Sequence, residues 1–79
     1  MSEKQIEKNF KLSAAFGEYV IDNPSTSVRI PNGVHIVMGD AKDEKFTQKN
    51  IEIFRNEKGS HYMAMKKGKK WSIEPLSKK

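Results

Sequence analysis

Val34-His35-Ile36-Val37-Met38 followed by Gly39, then His61-Tyr62-Met63-Ala64-Met65, then Lys70-Trp71-Ser72-Ile73-Glu74, are the segments that decide the fold. The first has four apolar residues out of five, the near-continuous pattern of a strand inside a small sheet or covered on both faces. It follows Pro31-Asn32-Gly33, a turn in which proline presets the first angle and Asn-Gly tolerates positive φ, so a strand is expected over 34–38. The last two segments flank Lys66-Lys67-Gly68-Lys69 and read as a β-hairpin. In its second arm Trp71 and Ile73 share one face, while Lys70, Ser72 and Glu74 share the other.

Between the first strand and the hairpin lies a helical pattern. Phe46, Asn50, Ile53 and Phe54 fall on one side, Asp40 and Asp43 offer caps, and Gly59 stands where a left-handed C-cap is expected. The spacing predicts a helix over 43–57. Strand, helix and strand in that order favour a right-handed βαβ unit, to which the hairpin adds an antiparallel third strand.

Upstream, Ser2 with Gln5 forms an S-x-x-Q capping box, and the helix it opens is expected to run from 3 to 22. Ile6, Phe10, Ala14 with Gly17, and Ile21 with Val20 return at helical spacing, and Leu12, Phe16 and Tyr19 extend the apolar stripe sideways into one broad face. Asn23-Pro24 ends this helix, with Asn23 suited to left-handed geometry. Residues 24–31 are an ordered loop or a single helical turn, with Val28 or Ile30 turned inward.

The expected fold is therefore α/β, bordering on α+β. It is a two-layer sandwich with an N-terminal helix and then β-α-β-β, forming a three-stranded mixed sheet. At 79 residues the chain suits one compact domain over 1–79, with 76–79 as a flexible tail. It contains no cysteine, which removes disulfides, thiolate nucleophiles and cysteine-held metals and favours a reducing, cytoplasmic setting. No apolar run reaches the length of a membrane span, and the N-terminus lacks a signal-peptide pattern. The net charge of +5 is unevenly distributed. Residues 1–57 hold eight basic and nine acidic side chains, whereas 58–79 hold seven basic and one acidic.

That local charge defines one candidate surface. Lys66, Lys67, Lys69 and Lys70 on a hairpin, with Trp71 adjacent, are suited to phosphates and to stacking on an unpaired base. Lysines also blunt an edge hairpin against aggregation, and Trp71 with Ile73 suits an inward face. No zinc finger, RNA-recognition signature or helix-turn-helix accompanies them, so any nucleic-acid contact is expected to be weak, non-specific and salt-dependent. Tyr62, Met63 and Met65 define a second candidate, a protein interface formed by the sheet face or by strand addition at its edge.

His35 and His61 fall on strands expected to pair in parallel, which brings the imidazoles together. Two histidines without a third ligand are weak grounds for a metal, and Asp40 and Asp43 are better explained as turn and cap residues. Ser60 and Ser72 lack the context of a triad nucleophile. Gly39 precedes a helix as in phosphate loops, but Asp40, Asp43 and Glu44 around it repel an anion. No catalytic, cofactor-binding or metal-binding residue is assigned.

Asn9-Phe10-Lys11-Leu12-Ser13-Ala14-Ala15-Phe16, then Tyr19-Val20, Asn23-Pro24, Ile30-Pro31 with Gly33, and Ile36-Val37 resemble a family of short, uncharacterised prokaryotic proteins. The match is clearest over 8–38 and looser beyond. The resemblance implies a compact α/β fold and carries no catalytic or binding role to these positions. The expectation is a small noncatalytic domain that homodimerises or binds another protein, with weak polyanion contact as the alternative.

Overall fold

The computed structural model describes residues 2–54 and 57–76. The chain divides into two compact units, Met1–Pro31 and Asn32–Lys79.

The first unit contains α1 (Glu3–Asp22) and the single turn α2 (Ser25–Val28). Ser2 opens α1 as expected. Its backbone is extended, and its Oγ accepts the Gln5 N–H at 3.2 Å, satisfying a donor that the first turn leaves without a partner. The helix closes differently from expectation. Asn23 has φ −131 rather than a left-handed angle; instead its Nδ2 and its backbone N–H both donate to the Tyr19 carbonyl at 2.9 Å.

The buried side of α1 also corrects the expected stripe. Leu12 and Phe16 are buried together with Gln5, whereas Ile6 is 53%, Phe10 77% and Ile21 77% exposed. Two apolar sectors run along this helix, and periodicity alone does not say which one turns inward. In the turn that follows, Thr26 is buried, Val28 is exposed and Ile30 is half-buried.

The second unit consists of β1 (His35–Asp40), α3 (Glu44–Phe54), β2 (His61–Lys67) and β3 (Lys70–Leu76). The strands lie in the order β1-β2-β3. β1 pairs with β2 in parallel and β2 with β3 antiparallel, so the expected mixed three-stranded sheet and β-α-β-β order are present, and α3 against β1 gives a two-layer α/β arrangement. Val37, Met38, Met63, Ala64 and Phe46 are the buried apolar residues of this unit, with Val37 and Met63 on one face of the sheet and Met38 and Ala64 on the other.

Element limits shift modestly. β1 begins after Val34 and runs through Gly39 to Asp40, while α3 starts after its cap and ends at Phe54. Residues 55 and 56 of the expected helix lie outside the described residues. Of its expected inner line, Phe46 and Asn50 are buried and Phe54 is half-buried, but Ile53 is exposed and Thr47 is buried instead. β3 continues through Pro75 to Leu76, which pairs with His61, because a proline without an N–H is tolerated on an edge strand. Leu76, placed in the expected tail, is therefore part of the sheet; residues 77–79 lie outside the described residues. Gly68 has φ +66, while among the described residues no non-glycine has positive φ. That combination suits a type II′ turn, whose first central position requires the left-handed half of the map.

Asp43 caps α3 by accepting the Phe46 N–H at 3.1 Å, and Asp40 Oδ1 accepts the Lys42 N–H at 2.9 Å. Both carboxylates thus do the turn and cap work assigned to them. α3 is also bonded to the backbone of β1. Asn50, with no exposed surface, donates from Nδ2 to the Met38 carbonyl at 2.8 Å. Thr47 Oγ1 accepts the Asp40 N–H at 2.9 Å, and its own proton is shared with the Asp40 and Asp43 carbonyls, both at 3.1 Å. The His35 N–H donates to the carbonyl of Ser60, just before β2, and the Ala41 N–H to that of Lys66. Strand alternation therefore turns the backbone of Met38 and Asp40 away from β2, to the outer edge, where Asn50 and Thr47 meet it.

Candidate functional site

The register sorts the candidate residues by face. In both ladders paired residues project to the same side of the sheet. Tyr62, Ala64 and Lys66 share one face with Pro75, Ile73 and Trp71. His61, Met63, Met65 and Lys67 share the other with Leu76, Glu74, Ser72 and Lys70, and with His35, Val37 and Gly39 of β1.

The two sets proposed from sequence are each divided by this alternation. Among the basic residues, Lys66 lies across from Trp71 on one face, and Lys67 across from Lys70 on the other, with Lys69 in the turn. Lys67, Lys69 and Lys70 are exposed, whereas Lys66 and Trp71 are half-buried. The basic patch is thus the tip of the hairpin, with no aromatic among its exposed members. Of the interface set, Met63 is only 7% exposed and belongs to the core. Tyr62 and Met65 are half-buried and face opposite ways.

The methionines have a local partner in Gly39. A Cβ placed there would meet Met63 Sδ at 2.7 Å and Met65 Sδ at 3.0 Å, so both thioethers rest over bare backbone. The strand glycine makes room for sulfur rather than for a ligand.

His35 and His61 are register partners, and their rings stack with centroids 5.0 Å apart at 26°. The expected approach of the two imidazoles is realised. His61 is 5% exposed, and its buried Nε2 has no hydrogen-bond partner. His35 is exposed, beside Gly59. Stacked rings direct their in-plane lone pairs along separate planes, an arrangement unsuited to holding one metal between them. Among the described residues no group of three or more His, Cys, Asp or Glu is placed to hold a metal ion.

The surface that sequence reasoning missed is on α1. Ile6, Phe10 and Ile21 project together from one side of the helix, with Ser13, Ala14 and Gly17 between them, and all six are exposed. Its apolar signal was legible, but it was assigned to the core. A Cβ built on Gly17 would meet nothing within 4 Å, so packing within the chain does not require a glycine at this helical position.

Among the described residues no helix is long and apolar enough to cross a membrane. No curated protein and no solved structure matches the chain. A family model does match residues 4–77, nearly the whole sequence, and the chain belongs to that family, the family of unknown function DUF5647.

Proposed function

We propose that this is a cytoplasmic protein-interaction domain that associates with a second copy of itself and performs no chemistry of its own. One observation carries the reading: three large apolar side chains, Ile6, Phe10 and Ile21, stand more than half exposed on one side of a single helix. Large apolar side chains left in water along one side of a helix favour a partner. Strand addition is the weaker route to association, because Met38 and Asp40 at the β1 edge already bond to Asn50 and Thr47, and the β3 edge contains Pro75. The cytoplasmic placement rests on the cysteine-free composition.

Light scattering over a concentration series tests the proposal. A mass rising from monomer to dimer is expected, and a monomer at every concentration rejects it. A second reading, weak polyanion binding, draws on the exposed Lys67, Lys69 and Lys70 at the hairpin tip. It predicts a complex with short single-stranded RNA or DNA that dissolves as salt is raised and disappears when the three lysines are replaced by alanine. Binding that survives either change rejects it.

A further inference from the structure

Resting on the self-association reading, we infer that the partner surface is α1 of the second copy, and that the two helices run antiparallel with their crossing centred near Ala14. The exposed stripe is graded in size along the helix: Ile6 and Phe10 are large, Ser13, Ala14 and Gly17 small, and Ile21 large again. Turning a second copy end for end about Ala14 sets Phe10 of each chain over Gly17 of the other and brings Ile6 towards Ile21. Large side chains then meet small ones, as interdigitating helix surfaces require. A glycine whose missing Cβ faces open space within its own chain becomes the floor under a partner's aromatic ring.

Charge selects the same orientation. The first half of α1 carries Lys4, Lys8 and Lys11 with Glu3 and Glu7, whereas its second half carries only Glu18 and Asp22, with no basic residue in the last turn. Lys4, Lys11, Glu18 and Asp22 are all exposed. The antiparallel crossing places Lys11 of one copy by Glu18 of the other and Lys4 by Asp22, each twice by symmetry. A parallel crossing carries the side of the helix that holds these four charges to opposite edges of the seam in the two copies and forms neither pair. Lys11 also lies 3.8 Å from Glu7 on its own helix, an exposed pair with three-quarters of each side chain in solvent; such pairs are weak and leave the ammonium able to take a second carboxylate. One pair of helices covers less than the roughly 1,600 Å² of a standard interface, so the dimer is expected to be reversible and weak.

Because the chain has no cysteine, single cysteines report the geometry in the full-length protein. Ala14→Cys is expected to form a disulfide-linked dimer on mild oxidation. Lys4→Cys alone is expected to stay unlinked, but to cross-link when mixed with Asp22→Cys. Lys11→Glu and Glu18→Lys should each weaken dimerisation several-fold by sedimentation equilibrium, and the two together in one chain should restore it. Phe10→Ala should weaken it by more than about tenfold. Circular dichroism of each variant separates loss of association from loss of folding. A chain that is monomeric throughout overturns both this inference and the self-association reading. A dimer in which Lys4→Cys links to itself, or in which the charge reversals have no effect, overturns the antiparallel α1 pairing and leaves self-association standing.

Discussion

Phe46 and Phe10 are the same side chain on two amphipathic helices, yet one is 4% exposed and the other 77%. Phe46 belongs to a unit in which Val37 and Ala64 have no exposed surface and Asn50 and Thr47 meet the outer backbone of β1. Around Phe10 the first unit keeps an apolar side in water. One region uses its hydrophobic residues to specify a fold. The other has more of them than its fold consumes, and that surplus is the basis for assigning it a partner.

The contrast breaks most readily at the two phenylalanines. Phe46→Ala should destabilise the chain by about 3–5 kcal/mol, the usual effect of emptying an aromatic core site. Phe10→Ala should change the stability of the monomer by less than about 0.5 kcal/mol. Urea denaturation at low protein concentration measures both, and equal losses would mean that the two helices do not differ as described.

A smaller effect is expected at Asn50. Asn50→Ala removes the donor to the Met38 carbonyl and should lower stability by about 1–3 kcal/mol, with hydrogen exchange accelerating in α3 and β1 before it does in β3. Uniform acceleration would show that these bonds are not a local clasp. Gly68→Ala forces a Cβ into the left-handed turn and should cost about 1–2 kcal/mol; an unchanged melting temperature would contradict the turn geometry.

The smallest change is the most telling. Gly17→Ala should stabilise the monomer by about 0.5–1 kcal/mol, because a helix-interior glycine is poorer than alanine and its Cβ would meet nothing in the chain. The same substitution should weaken dimerisation. If the melting temperature and the association constant rise together, Phe10 does not sit over Gly17.

Much of the second unit was legible in the sequence, because its signals are local and agree with one another. Pro31-Asn32-Gly33 before an apolar run, Asp43 before Phe46, and Gly68 between two alternating arms each name a structural element, and the parallel alignment of His35 with His61 follows once those elements are placed. Two things were less accessible. The inward side of α1 depends on packing that periodicity does not contain, since Leu12 with Phe16 and Ile6 with Phe10 are equally plausible inner pairs by spacing. The candidate surfaces on the hairpin were grouped by proximity in sequence, whereas a strand sends neighbours to opposite faces. Lys66 was thereby separated from Lys67, and Met63 was carried into the core.

The placement of Met63 and Met65 over Gly39 has a consequence for how the protein ages. With no thiol present, oxidation at sulfur falls on thioethers alone, and each sulfoxide adds a polar oxygen to a once-apolar chain. Met65, half-buried, is within reach of peroxide, while Met63 beside it is buried. Of this pair, Met65 should therefore be oxidised first and loosen the cover over Met63, so that peptide mass mapping of peroxide-treated protein finds the Met63 sulfoxide only where that of Met65 is already present.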